Sequence, residues 1–292
     1  MPAKGEASRR AWRLFRMGEE THVSTTAVSP ETASEALAAL RWKRPLVHCL
    51  TNDVVANVTA NALLAAGASP VMAHAPEEAA VIAARAGALL VNIGTLTRDR
   101  VEVMVAAAEA ARAAGAPWVF DPVGVGASPF RQEAAARILA IGPTLVKGNA
   151  AEIVTLATGR PAGRGVDSEE GESRAVQDAA VALARRLRCA VAATGRVDLV
   201  TDGVGVLQVH NGHALMGRIT GSGCAAGALC AAVLGAGAPA LAGAASALAY
   251  FGLAGERAAA GEPGPGMFQA RLLDELAAVT PEDLAAGARI TA

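Results

Sequence analysis

The sequence predicts an α/β fold: a central, mainly parallel sheet with helices on both faces and an antiparallel edge. Three observations carry the prediction. Short apolar runs rich in Val, Leu and Ile alternate with Ala-rich stretches of helical length through the first half of the chain. That alternation marks βα units with crossover helices. Several of the apolar runs end in Asn, Asp, Gly or Thr, the polar ends beyond which open α/β sheets hold ligands. Between residues 189 and 212, CAVAATG, VDLVTDG and VGVLQVHNG follow one another with only turn residues between them, which predicts the antiparallel edge.

In chain order, strands are expected at 46–50, 70–73, 88–94, 117–124 and 144–149. Helices are expected near 54–66, 77–85, 98–114 and 129–141. The polar stretch GRGVDSEEGE at 163–172 reads as a surface loop or helix entry, followed by a helix from about 174 to 187. From 221 to 255 no residue is charged, a length that could span a bilayer. Ala and Gly dominate it, however, and Gly and Pro break it at 235–239, so two buried helices fit better and no membrane contact is expected. Two further helices from about 267 and 281 close the chain. Residues 1–25 are basic but lack the apolar core of a secretory signal, and a disordered extension is expected there. Residues 26–292 are expected to form one domain.

Composition narrows the function classes. Of 292 residues, 52% are apolar and only 3% aromatic, which supplies a core but no aromatic platforms for nucleobases. Lys and Arg (26) nearly balance Asp and Glu (27), so no basic field draws nucleic acid. Cys49, Cys189, Cys224 and Cys230 show neither CxxC spacing nor a paired framework, which suits a reducing cytoplasmic setting without zinc.

Five segments carry candidate chemistry. In TGSGCAAG, Thr220 to Gly227, the glycines let backbone approach a ligand and the following helix would aim free N–H groups at it. Cys224 falls in that first turn, where a thiol pKa tends to drop; the plainer reading is a Gly-rich turn with a buried Cys. A dinucleotide fingerprint would need an acid about twenty residues on, and none precedes Glu256. Asp121 ends the run PWVF and either helps hold Mg²⁺ near a phosphate or caps the turn before the next helix. Lys147 can reach a phosphate, while Glu152 supports a metal or completes a capping box with Asn149, or both. Asn52 begins a helix and can cap it, Met72 is core or ligand contact, and His74 is read as inert. Thr194-Gly195 suits a nucleotide phosphate. His48, His210 and His213 form no metal pattern and are read as structural or surface residues.

In this order, VHCLTNDVVANVTANALLAAGASPVMAHAPEEA, LLVNIGTL, FDPVGVGASPFR, VKGNAAEI, AATG and TGSGCAAGALCAAVLGAG resemble the hydroxyethylthiazole kinases of the ribokinase-like superfamily. The resemblance runs from about residue 35 to Leu276. It implies a ribokinase-like fold, a homotrimer with the substrate pocket between subunits, and phosphorylation of 4-methyl-5-(2-hydroxyethyl)thiazole by ATP and Mg²⁺ in thiamine biosynthesis. By resemblance Met72, Gly221 and Asn52 belong to the thiazole site, and Lys147, Thr194 and Gly223 to the ATP site. Asp121 and Glu152 would organise Mg²⁺, and Cys224 stands where related kinases carry an Asp base. Lys147 departs from the family's usual Arg, exchanging a planar fork for a point charge. A hydroxymethylpyrimidine or pyridoxal kinase, a nicotinamide dehydrogenase and a non-catalytic binding protein are the competing readings.

Overall fold

Trp118, Phe120, Leu89, Leu90 and Leu145 are fully buried on adjacent strands, and the whole architecture is built around such residues. The computed structural model describes residues 28–160 and 169–292. The expected extension at 1–25 and most of the polar stretch at 163–172 lie outside the described residues.

One sheet runs in the order β2-β1-β3-β4-β5-β6-β7-β8-β9. Its strands are β1 (Leu46–Leu50), β2 (Ser69–Val71), β3 (Ala88–Asn92), β4 (Trp118–Asp121) and β5 (Leu145–Asn149). They continue as β6 (Ala190–Thr194), β7 (Asp198–Thr201), β8 (Val206–Val209) and β9 (Ile290–Thr291). Pairing is parallel from β2 through β6 and antiparallel from β6 to β9. The sheet therefore shows both the parallel centre and the antiparallel edge that the sequence predicts.

The helices are α1 (Pro30–Lys43), α2 (Ala56–Ala66), α3 (Ala79–Ala83), α4 (Arg98–Ala113), α5 (Pro129–Leu139) and α6 (Ala150–Thr158). After them come α7 (Glu169–Leu187), α8 (Ser222–Gly235), α9 (Ala240–Ala258), α10 (Pro265–Ala278) and α11 (Pro281–Gly287). Side chains of a strand alternate between faces, and here the alternation divides the core in two. Cys49, Leu90, Val119, Leu145 and Ala192 pack with α1, α2 and α8 to α11. Leu50, Val91, Phe120, Val146 and Val191 pack with α3 to α7.

The structure departs from the expected elements at several ends. Helix α1 was not expected, although Ser29 caps it by accepting the Thr32 N–H and Pro30 occupies its first turn. The helix expected at 77–85 shrinks to α3, and the strand expected at 70–73 ends at Val71 as β2. Helix α7 begins at Glu169 instead of 174. Strand β9 was also unexpected; two residues are too few for a period-2 signal, and only pairing with Gln208 and Val209 makes them a strand.

Residues 224–234 of α8 are all buried. Their small side chains let the helix lie close against β1, β3 and β4. Among the described residues no helix is long and apolar enough to cross a membrane. Close packing recurs where α9 meets the loop after β8: a Cβ on Gly252 would stand 2.5 Å from the Asn211 carbonyl carbon. Backbone there cannot swing away as a side chain would. Gly252→Ala should thus lower stability by about 1–3 kcal/mol, read from the denaturant midpoint; an unchanged midpoint would show that the contact relaxes freely.

Candidate active site

The parallel strands carry polar residues at their carboxyl ends, and α8 enters the same crevice with its first turn. Register brings them together: Asn92 is level with Asp121 on β3 and β4, and Asn149 with Thr194 on β5 and β6. Asn52 follows β1 by two residues.

These side chains form a connected network. Asn92 Nδ2 donates to Asp121 Oδ2 at 2.8 Å and to Cys224 Sγ at 3.2 Å. Asn92 Oδ1 accepts from Asn52 Nδ2 at 2.9 Å and from the Gly94 N–H at 3.0 Å. Asn52 Nδ2 also approaches Cys224 Sγ at 3.7 Å. Lys147 Nζ donates to the Gly223 carbonyl at 2.9 Å, directly before Cys224. Asn52, Asn92, Asp121, Lys147 and Cys224 are all buried.

Burial governs the electrostatics. It pushes Asp121 up to about 6, reinforced by Glu152 and opposed by Lys147 and the Asn92 hydrogen bond. Burial works against the Lys147 ammonium, but Asp121, Cys224, Glu152 and Cys230 outweigh it and hold its pKa above the usual lysine value. The expectation that a helix N-terminus lowers the Cys224 pKa is corrected. Burial, seconded by Asp121, pushes the thiol up to about 11, although Lys147, Asn92 and Asn52 pull the other way. A dipole at the first turn is a modest effect beside removal from water.

The plainer readings of these residues fare differently. Asn52 does not cap α2, whose N-cap is Val55 without a side-chain bond; its Oδ1 accepts the Val54 N–H in a local turn. The Asp121 carboxylate accepts from Asn92 Nδ2 and not from a turn N–H, and Ser128 caps α5 by accepting the Arg131 N–H. Glu152 does complete the capping box with Asn149. Its Oε2 accepts the Asn149 N–H at 2.8 Å, and its Oε1 accepts the Gly124 N–H at 2.9 Å, tying the loop after β4 to the start of α6. His48 is a buried structural residue whose Nε2 meets the Ala73 carbonyl at 2.8 Å.

Beside α8 lies a cavity of about 560 Å³, the size of a small-ligand site. Thr194, Gly195, Asp198, Gly223 and Phe251 are among the residues lining it. Thr194 Oγ1 donates to the Gly148 carbonyl at 3.3 Å, and Asp198 Oδ1 accepts the Gly195 N–H at 2.9 Å. Gly221 turns into α8 with a φ of 87°, and a Cβ there would stand 2.8 Å from Val58 Cγ1. Met72 stands apart, half-buried beyond β2 at the sheet edge, with β1 and β3 between it and β4.

Sequence reasoning overlooked Asn92, Asp198 and Asn211. For Asn92 a signal existed: it is the one polar residue ending an otherwise apolar strand, the same feature that singled out Asp121. Asp198 follows the bend at 195–197 and Asn211 follows the end of β8, and both become distinctive only once the cavity is seen.

Among the described residues no three His, Cys, Asp or Glu side chains gather into a ready-made cage. Two carboxylates facing one crevice still fit Mg²⁺, which keeps several waters and takes much of its coordination from substrate phosphates.

The fold is of ribokinase-like architecture. A pyridoxal kinase from Staphylococcus aureus superposes with a TM-score of 0.54 at 18% identity, over 70% of this chain and 85% of that one, a likeness of fold alone. A hydroxyethylthiazole kinase structure from Pyrococcus horikoshii OT3 reaches a TM-score of 0.82 at 42% identity, covering 89% and 98% of the two chains. A hydroxyethylthiazole kinase from Rhizobium etli is 50% identical over 256 residues, 87% of this chain and 99% of that one. The family model for hydroxyethylthiazole kinases matches residues 37–282. The chain belongs to the hydroxyethylthiazole kinase family.

The network makes a specific demand at Gly94. A Cβ there would stand 2.6 Å from Asn52 Cγ and 2.7 Å from Asn52 Cβ, displacing the amide from Asn92 and Cys224. Gly94→Ala should lower kcat by about 10²-fold, the scale of a misplaced group in a preorganised site, while circular dichroism shows the helices retained. Full activity would mean that Asn52 need not hold its place.

Proposed function

We propose that the chain transfers the γ-phosphoryl group of ATP to the hydroxyl of 4-methyl-5-(2-hydroxyethyl)thiazole, releasing ADP and the thiazole phosphate for thiamine biosynthesis. The observation that carries this reading is the placement of Cys224: it opens α8, takes hydrogen bonds from Asn92 and Asn52, and adjoins Gly223 on the cavity wall.

The roles follow from position. Thr194 and Gly223 line the cavity and bind the nucleotide. Lys147, buried with its ammonium on the Gly223 carbonyl, supplies positive charge toward phosphate. The first N–H groups of α8 face the same point, so the charge on the transferred phosphoryl oxygens meets aligned donors and an ammonium. Asp121 and Glu152 would hold a hydrated Mg²⁺, which when bound neutralises charge on the phosphate oxygens.

Asn52 and Cys224 face the alcohol. In the resting site the thiol keeps its proton, so Cys224 takes the proton of the substrate hydroxyl only when it is in its minor thiolate form, toward which Lys147 and the two Asn amides work. Phosphoryl transfer passes through a loose transition state and requires little base strength. A thiol with a high pKa is therefore sufficient, and positioning contributes more.

Met72 and Gly221 complete the thiazole side. Met72 lies at the sheet edge, and Val54, Leu64 and Met267 remain exposed on or beside the neighbouring α2 and α10. An edge position with exposed apolar neighbours supports a homotrimer in which another subunit closes the pocket. Four free, buried cysteines suit a reducing cytoplasm.

The test is coupled ADP release with Mg·ATP and the thiazole alcohol, run beside hydroxymethylpyrimidine, pyridoxal and no acceptor. Thiazole-dependent release is expected, with the phosphate ester confirmed by mass and turnover abolished by EDTA. Cys224→Ala should bind both substrates and lose about 10²-fold in kcat. Turnover on another alcohol with none on the thiazole would overturn the substrate assignment, and an unchanged kcat in Cys224→Ala would remove the thiol from the mechanism.

A further inference from the structure

The segment after β8 forms one wall of the cavity, where Asn211, Gly212, His213, Met216 and Gly217 face the space. The hold on this wall comes from far along the chain. Glu256, near the end of α9, accepts on Oε1 from the Gly212 N–H at 2.7 Å and from Asn211 Nδ2 at 3.3 Å. Arg289, just before β9, donates from Nη2 to the same oxygen at 2.6 Å and from Nη1 to Oε2 at 3.1 Å. Arg289 Nη2 also donates to the His210 carbonyl at 2.7 Å, and the Arg289 N–H to Asn211 Oδ1 at 2.7 Å. Asn211 Nδ2 reaches the Gly287 carbonyl at 3.0 Å, and the pairing of β9 with β8 anchors the whole arrangement.

Two features suggest more than general stability. The ion pair is part-exposed, with side-chain exposures of 51% for Arg289 and 24% for Glu256, a setting in which such pairs contribute little to folding. Yet its hydrogen bonds converge on residues 210–212, and Asn211, the buried member, lines the cavity. Glycines at 252 and 255 let the wall lie against α9, since a Cβ on Gly255 would stand 2.6 Å from Met216 Sδ.

We propose that Glu256 and Arg289 are positioning residues for the phosphoryl-donor nucleotide, setting the 211–217 wall through Asn211 and Gly212. The inference rests on assigning the cavity to ATP. Neither side chain lines the cavity. The Asn52–Asn92–Cys224 network on the alcohol side is carried by α8 and the parallel strands, so the clamp should govern donor affinity alone.

The experiment uses the full chain with Glu256→Gln, Arg289→Met and Arg289→Lys. ATP and thiazole are varied separately, ADP binding is measured by calorimetry, and Tm is recorded for each variant. Glu256→Gln and Arg289→Met should raise the KM for ATP and the Kd for ADP about tenfold, equivalent to about 1.4 kcal/mol. Arg289→Lys, which keeps the charge but not the fork, should fall between them and the parent. The KM for thiazole and kcat should stay within about twofold, the scale of a perturbation that leaves the reacting groups in place.

A lowered Tm with unchanged ATP and ADP affinities would overturn the proposal, as would equal weakening of both substrates. Should Arg289→Met fail to fold, the two milder variants carry the same comparison. Gly217→Trp tests the underlying assignment separately, because a Cβ at Gly217 meets open space and the indole would fill the cavity. ADP binding that survives Gly217→Trp would refute the cavity assignment and the clamp with it. Binding lost there but unchanged in the clamp variants would refute the clamp alone.

Discussion

One buried amide, Asn92, holds the site together. An Asn side chain offers two N–H donors and an oxygen with two lone pairs, and here all four are used. The donors go to Asp121 and Cys224, and the oxygen takes Asn52 and the Gly94 N–H. In a water-poor interior a half-satisfied amide would be costly, whereas a fully satisfied one fixes its partners. Asn92 thereby joins three strand ends and the first turn of α8 into one geometry, with a carboxylate on one side and a thiol on the other.

Small side chains make that geometry reachable. Helix α8 could not bring Cys224 to Asn92 if larger residues held it away from the sheet, and its run of Ala and Gly removes that obstacle. Lys147 supplies the charge balance: a buried carboxylate alone would be expensive, and the ammonium one strand away offsets part of that cost. Buried charge of both signs at adjacent strand ends is poor design for stability alone. It suits the handling of phosphate, where positioned charge contributes most to rate.

Much of this was legible in the sequence. The alternation of short apolar runs with Ala-rich helical stretches identifies the parallel centre, and the turn-separated strands after residue 189 identify the antiparallel edge. The ordered motifs around Asn52, Asp121, Lys147 and Cys224 point to the residues that the fold gathers at one crevice. What stayed hidden depends on tertiary context. Strand β9 exists only because β8 is beside it. The Cys224 pKa follows burial, which a local motif does not report, and so the expectation from its helix position had the wrong sign. Asn211 and Glu256 acquire significance from each other, 45 residues apart in the chain.

Through these four hydrogen bonds Asn92 is placed to order Asp121 and Cys224 without itself lining the cavity. The most direct measurement is steady-state kinetics of Asn92→Ala with ATP and the thiazole alcohol varied independently. A kcat lower by about 10²-fold is expected with both KM values little changed, because Cys224 and Asp121 lose their common anchor while the binding surfaces remain. A folded Asn92→Ala enzyme with the parent kcat would contradict it.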